Sequence, residues 1–258
     1  MSPPTVDTSV SLINTDSTAP FLLVCDHASR ALPARYGTLG LQESELWRHI
    51  AWDIGAADVT RRLAALLDAP AVLSGTSRLL VDCNRGTDDP TFICQVSDGT
   101  VVPGNRGLDA AEIRHRIDSY YEPYHRAIAA ALERARRHGP APALVSVHSF
   151  TPVMRGFQRP WHVGILWGKD PRLAEPLMRY LGDDPALVVG DNQPYSGRSN
   201  LGGTMQRHGA ASGLPHVLIE LRQDLIDTHH GAEAWASRLA AALRRLLAEH
   251  GPFLVERF

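Results

Sequence analysis

The chain has 258 residues, 44% of them hydrophobic and 21% charged, which is typical of a soluble globular protein with one large α/β domain. The net charge of −2 argues against a nucleic-acid or anionic-membrane partner, and no apolar run is long enough to cross a bilayer. The three cysteines, Cys25, Cys83 and Cys94, are irregularly spaced. They argue against a disulfide framework and favour a reducing, cytoplasmic compartment.

The pattern of apolar residues predicts strands that alternate with helices along most of the chain. Residues 1–18 are predicted to be a flexible N-terminal leader rather than a secretory signal, and residues 19–258 to be a single folded domain. Long loops are expected at 83–107 and 190–203, and a bend is expected at Pro123. Strands are predicted at residues 21–25, 71–73, 78–82, 143–149, 161–167 and 216–219, and helices at residues 43–50, 54–67, 109–138, 171–181, 204–211 and 231–249. This alternation predicts a mainly parallel sheet with helices on both faces.

Three of these predicted strands deliver a residue that can bind a metal ion or transfer a proton. His27 follows the first strand, His148 lies in the fourth, and Glu220 follows the last. Because ligands of open α/β sheets bind beyond the carboxyl ends of the strands, the three residues predict one shared site. Histidine and carboxylate ligands suit zinc, and hydrolysis at such a metal also needs a separate carboxylate that accepts and returns a proton.

The residues alone do not decide whether Asp26 or Asp53 is the acidic metal ligand. Asp26 adjoins His27, and neighbours on a strand point to opposite faces, although a loop relaxes this rule. Asp53 stands near the start of a predicted helix, from which a short acid could reach the metal. Glu220 is flanked by apolar residues and should be partly buried, so it needs a metal, a proton or a salt bridge, for which Arg222 is a candidate.

Six short stretches, spread in order over most of the chain, carry a family resemblance. They are residues 24–29 (VCDHAS), 49–56 (HIAWDIGA), 77–85 (SRLLVDCNR), 147–150 (VHSF), 192–197 (NQPYSG) and 219–224 (IELRQD). Together they resemble the N-formylglutamate amidohydrolase family. The resemblance implies a phosphorylase/hydrolase-like fold, which is a three-layer α/β/α sandwich shared with the zinc carboxypeptidases.

The resemblance also implies a metal site. One Zn²⁺ ion per chain is expected, with His27, Asp53 and His148 as its ligands, and Glu220 is expected to act as the general base. Asp53 is thereby favoured over Asp26. Because the same ligands accept iron, cobalt or manganese, another divalent metal is an alternative.

The chain departs from the zinc carboxypeptidases at one ligand. Their His-x-x-Glu pattern is absent, because Arg30 stands where the glutamate would be.

The substrate that the resemblance implies is an N-acyl amino acid with an acidic side chain. The foremost candidate is N-formyl-L-glutamate, cleaved to L-glutamate and formate, as in histidine degradation. Such a dianion calls for arginines that bind carboxylates. Asn84, Arg85 and Arg222 are the expected contacts, together with Arg78. The alternative interpretation of Arg78 and Arg85 is a structural pairing with Asp82 or Asp88.

Two other functions remain open at this stage. One is a zinc peptidase or peptidoglycan-type amidase on the same scaffold, and the other is a non-catalytic ligand-binding relative. The expected partner is a small-molecule substrate, and a homo-oligomer is compatible with the sequence.

Overall fold

A seven-stranded sheet forms the centre of the protein in the computed structural model, which describes residues 9–198 and 203–258. Numbered along the chain, its strands are β1 (Val10–Ile13), β2 (Phe21–Cys25), β3 (Ala71–Ser74), β4 (Ala143–Phe150), β5 (Val163–Leu166), β6 (Val189–Asp191) and β7 (His216–Arg222). They lie in the order β1-β3-β2-β4-β7-β5-β6. The pairs β2–β3, β2–β4, β4–β7 and β5–β6 are parallel, and β1–β3 and β5–β7 are antiparallel. The mainly parallel sheet is confirmed.

The described residues form five α-helices, namely α1 (Ala56–Leu67), α2 (Ala110–Arg116), α3 (Glu122–His138), α4 (Ala174–Gly182) and α5 (His229–His250). The side chain of Asp109 caps α2 by accepting the backbone N–H of Glu112. A π-helical segment, Ile117–Tyr121, joins α2 to α3 just before Pro123. A proline lacks the N–H that a regular helix needs there, so the predicted helix is interrupted at this point. None of the helices in the described ranges is long and apolar enough to cross a membrane.

Alternate side chains of β2 point to opposite faces of the sheet. Phe21, Leu23 and Cys25 belong to the core that the sheet forms with α1, α4 and α5. Leu22 and Val24 belong to a second core formed with α3. Because a strand directs successive side chains to opposite faces, a strand buried on both faces needs this continuous apolar run. The three-layer α/β/α arrangement is therefore confirmed.

The segment predicted to be a leader contributes an edge strand. β1 pairs antiparallel with β3 over its whole length, and Val10 and Ile13 pack against the two cores. The prediction of a flexible leader is therefore wrong at residues 10–13. The backbone hydrogen bonds of residues 10–13 are made with β3, a strand that is distant in the sequence. The polarity of the local sequence does not reveal this pairing. Residues 1–8 lie outside the described part of the chain.

The predicted strand at residues 78–82 is also wrong. The backbone N–H of Leu80 donates to Ser77, and that of Asp82 donates to Phe92, so the segment turns instead of extending. Leu79 and Leu80 are fully buried in a third apolar cluster away from the sheet. Burial inside a turn gives the same apolar run as a buried strand.

The predicted loop at 83–107 and the connection between β4 and β5 each contain a short hairpin. Residues 96–97 pair with 100–101, and residues 153–154 pair with 157–158. The predicted helix at 204–211 is a π-helical turn followed by a 3₁₀ turn.

Candidate functional site

The carboxyl ends of β2, β4 and β7 meet at one edge of the sheet, because these strands are parallel neighbours. His27 lies just beyond the end of β2, and Glu220 in β7 is the direct Cα partner of His148 in β4. Asp53 reaches the same place from the segment before α1, where its backbone N–H donates to the carbonyl of His27 at 3.0 Å. The structure thus brings together the four residues expected to bind metal or move a proton.

His27, Asp53 and His148 form a buried group that could hold a metal ion. Asp53 Oδ2 lies 3.2 Å from His27 Nδ1 and 2.8 Å from His148 Nδ1. One ligand atom from each residue lies within 4.8 Å of the other two. Two imidazoles and a carboxylate are a donor set that zinc and related ions accept.

Each of the two histidines has a second carboxylate on its outer nitrogen. His27 Nε2 lies 2.7 Å from Asp82 Oδ1, and His148 Nε2 lies 2.8 Å from Asp26 Oδ2. A carboxylate in this position fixes the tautomer and the orientation of the ring, which turns the Nδ1 atoms towards Asp53. Metal-binding histidines commonly have an acid behind the ring, so the arrangement is compatible with a bound ion.

Asp26 is fully engaged as such a support. Ser146 Oγ donates to its Oδ2 at 2.9 Å, Tyr124 donates to its Oδ1 at 3.0 Å, and Thr204 also donates to Oδ1. Burial would raise the pKa of Asp26, but its hydrogen bond with His148 and the nearby histidine charges lower it well below the usual range. Of the two acids left open by the sequence, Asp53 is the one that faces both histidines.

Glu220 contrasts with the other acids of the site. It is 6% exposed, and its Oε2 has no hydrogen-bond partner among the described residues. Burial raises its pKa to about 7, against the opposing effect of His148. Burial acts in the same direction on Asp53, but His27 and His148 lower the pKa of that acid well below its ordinary value. Acids whose pKa values are driven apart in this way mark acid–base sites.

A small cavity of about 160 Å³ joins these groups. Its lining includes all four residues and also Arg78, Asn84, Arg85, Ser149, Leu166, Tyr195 and Leu218. A second cavity of about 300 Å³ adjoins it through Asn84, Leu166 and Leu218. The second cavity has Trp167 and Met205 in its wall.

The arginines predicted to bind substrate have different surroundings. Arg78 is held by two acids of the site, with Nη2 at 2.7 Å from Asp82 and Nη1 at 3.3 Å from Asp53. Arg85 makes a long ion pair of 3.7 Å, with Asp89 instead of the suggested Asp88. Asn84 and Arg85 also line the cavity, and Asn84 Oδ1 accepts the backbone N–H of Thr204 at 3.3 Å.

Arg222 is not among the residues that line the cavity. Its Nε lies 2.8 Å from Asp224, and its Nη1 points to the backbone carbonyls of Arg159 and Trp161 at 3.4 Å. The alternative that it pairs with Glu220 is not observed either. Arg222 lies on the same face of β7 as Glu220, but the strand ends at Arg222, and Asp224 and the two backbone carbonyls hold its guanidinium outside the cavity.

No sequence pattern identifies Asp26 or Asp82 as supports of the histidines or Ser149 as part of the cavity wall, and Tyr195 is indicated only as a residue of a possible lid loop. Asp82 lies in the same short stretch as Asn84, and this proximity was the available signal. Tyr195 lies in a turn-rich segment, where no periodic pattern predicts which side chains point inwards.

The α/β/α fold and the buried titratable groups around one small cavity define a hydrolase-type α/β protein. The family model of N-formylglutamate amidohydrolase matches residues 19–227, and the chain belongs to that family. It is a family of hydrolases, in agreement with the resemblance of the six stretches.

Solved structures agree on the fold. The Agrobacterium tumefaciens gene product Atu2144 is 35% identical, with a TM-score of 0.90 over 94% of this chain and 96% of that chain. An N-formylglutamate amidohydrolase from Ralstonia eutropha is 20% identical, with a TM-score of 0.70 over 94% of this chain and 98% of that chain. None of the curated proteins matches the chain.

Proposed function

We propose that the protein is a metal-dependent amidohydrolase that cleaves a small N-acyl amino acid, foremost N-formyl-L-glutamate to L-glutamate and formate. The observation that carries this proposal is the position of Glu220, a buried carboxylate with an unpartnered oxygen, beside the His27–Asp53–His148 group in one cavity. A separate carboxylate next to such a group is what hydrolysis of an amide requires.

The residues fit a bound metal ion in two respects. The His27, Asp53 and His148 donor atoms are buried and mutually close, and both histidines have an acid behind the ring. Three protein ligands leave a position open for water or substrate, as in catalytic zinc sites. Bound there, the ion would act as a Lewis acid towards the scissile carbonyl and a water molecule. Zn²⁺ is the proposed ion.

Glu220 supplies the proton transfer. Burial raises the pKa of its carboxyl group and a bound ion would lower it again, so the group can both take a proton from the attacking water and release it. The same carboxyl group then gives that proton to the leaving amine, which becomes the amino group of the product. Burial keeps bulk water away from the carboxyl group during both steps.

The substrate proposal rests on the size and charge of the cavity. A volume of about 160 Å³ suits an amino-acid derivative, and Asn84 and Arg85 in its wall suit a carboxylate. This supports a small N-acyl amino acid over a peptidoglycan strand. Histidine degradation and a cytoplasmic location follow as part of the same proposal.

Metal analysis combined with a formate assay tests the proposal. Purified protein should contain about one metal ion per chain and should release formate from N-formyl-L-glutamate. The His148→Ala variant should lose both, whereas His230→Ala, at an exposed position of α5, should lose neither. Metal without formate release would reject the named substrate, and absence of metal from the wild type would reject the mechanism.

A further inference from the structure

Arg159 is a buried arginine without an acidic partner. It is 7% exposed, and its Nη1 donates to the carbonyl and the hydroxyl of Thr151, each at 3.3 Å. Both Nη atoms also lie 3.3 Å from the hydroxyl of Tyr195. All of these partners are neutral, and no carboxylate in the described ranges forms an ion pair with Arg159.

Among the described residues one other arginine is as deeply buried, and it has the acidic partner that Arg159 lacks. Arg116 is 1% exposed, and its Nε lies 2.9 Å from Glu112. A guanidinium ion taken out of water without a counter-charge is costly, so such a group favours an anion supplied from elsewhere.

Tyr195 connects Arg159 to the active site. Its side chain lines the cavity that also contains Glu220, whereas Arg159 lies behind it. Because the Arg159 N–H groups point at the phenol oxygen, the proton of that hydroxyl is left to donate in another direction. The described residues contain no acceptor for it. Tyr195 is 38% exposed overall, and partial burial, followed by the charge of Glu220, raises its pKa, so the phenol keeps its proton.

The backbone around Arg159 is braced for this role. The hairpin formed by residues 153–154 and 157–158 returns the chain so that the Arg159 N–H donates to the carbonyl of Pro152 at 2.8 Å. Arg222 Nη1 points to the carbonyl of Arg159. The arginine predicted to touch substrate thus supports the backbone of another arginine.

We propose that Tyr195 is a specificity-determining contact for a substrate carboxylate, and that Arg159 is the positioning residue that orients its hydroxyl and places a positive charge behind it. This inference rests on the proposed function. Asn84 and Arg85 follow β3 in the chain, Tyr195 follows β6, and all three line the cavity that contains His148. Two separate anion-binding positions in one cavity match an N-acyl amino acid that carries two carboxylates.

Steady-state kinetics of Tyr195→Phe and Arg159→Gln test this inference. Each variant should raise KM for N-formyl-L-glutamate on the order of tenfold or more and leave kcat nearly unchanged, because a hydrogen bond to a charged group is lost. Each should also lose part of the preference for the diacid over N-formyl-L-glutamine or N-formyl-L-isoglutamine, and these two amides show which carboxylate is bound. Arg155→Gln, at an exposed position of the same hairpin, is the matched control.

The double variant distinguishes an effect of Arg159 through Tyr195 from a purely structural effect of Arg159. If Arg159 acts through Tyr195, the two substitutions together should raise KM no further than the more severe single substitution. Tyr195→Phe keeps the ring and decides the question alone if Arg159→Gln does not fold. Unchanged KM and unchanged diacid preference in an active Tyr195→Phe enzyme would overturn the inference and leave the proposed function standing.

Ligand binding separates failure of the inference from failure of the proposed function. If the wild type releases no formate from any of the three substrates, the named substrate is rejected, and calorimetric binding of glutarate to the same proteins then becomes the test. Weaker binding to Tyr195→Phe and Arg159→Gln than to wild type and Arg155→Gln would support the anion site. Equal binding to all four proteins, or none to the wild type, would overturn it.

Discussion

His148 and Glu220 are direct Cα partners on the adjacent parallel strands β4 and β7. The backbone hydrogen bonds of the sheet therefore fix the separation between a candidate metal ligand and the candidate base. Neither residue depends on a mobile loop for its position. Pre-organised groups of this kind do not have to be ordered again during the reaction.

Replacing Glu220 by Gln should remove proton transfer and preserve the shape of the site. Because general acid–base catalysis contributes roughly 10²- to 10⁴-fold, we expect kcat to fall by about that factor while the metal content stays that of the wild type. Kinetics and elemental analysis on one preparation measure both. Glu233→Gln, an exposed acid on α5, is the control. A Glu220→Gln enzyme with near-normal turnover would contradict the assigned role.

Asp82→Asn should weaken metal binding without removing a ligand. Asp82 accepts from His27 Nε2 at 2.7 Å, and loss of such a supporting carboxylate typically costs about 10- to 100-fold in metal affinity or activity. Competition with a chromogenic chelator measures the affinity. Asp88→Asn, an exposed acid of the same loop, should bind metal like the wild type. An unchanged affinity in Asp82→Asn would show that His27 needs no support.

Removal of the metal should leave the fold intact. Asp53 accepts from both His27 and His148, so the three side chains satisfy one another when no ion is bound. Dialysis against a chelator should abolish activity, keep the far-UV circular dichroism spectrum and lower Tm, because an ion that binds the folded state stabilises it by mass action. Activity should return when Zn²⁺ is added. Loss of the helical spectrum on chelation at room temperature would contradict this expectation.

The buried pair His125 and His208 should make stability depend on pH. His125 Nδ1 lies 2.9 Å from His208 Nε2, and burial, with a further contribution from Arg207, lowers the pKa of His125 to about 3 and that of His208 to about 4. An unfolded histidine has a pKa of about 6.5, so below that pH the unfolded chain binds more protons than the folded one. The free energy of unfolding should therefore fall as the pH is lowered from about 7 towards 4.

Urea titrations at several pH values test this sign. The double variant His125→Gln/His208→Gln should show a shallower decrease between pH 7 and pH 4.5 than the wild type, whereas His230→Gln should follow the wild type. Equal slopes in the wild type and the double variant would show that the pair does not carry the dependence.

The sequence located the site through the ends of strands. His27, His148 and Glu220 lie at or just after the ends of apolar runs. Because those strands are parallel neighbours in the sheet, their carboxyl ends lie together and bring the three side chains close to one another. The choice between Asp26 and Asp53 could not be made from spacing. It depends on Tyr124 and Thr204, which reach Asp26 from distant parts of the chain.

The arginines were the weakest part of the prediction. Arg222 lies two residues from the base in the sequence, yet its guanidinium pairs with Asp224. Nothing in the local sequence of Arg159 indicates burial, because its environment is created by a hairpin and by Tyr195. Sequence patterns report which face a regular element buries, but they do not report how an irregular segment folds back.

The strand register also bears on which changes of chain length the protein can tolerate. A one-residue insertion or deletion within β4 or β7 would send every following side chain to the opposite face of the sheet, and His148 and Glu220 would no longer be partners. The irregular connections, such as residues 83–107, carry no such constraint from the sheet. Insertions and deletions among related chains should therefore be found in these connections, while the strands keep their length. The same connections are the places where an engineered insertion should be tolerated.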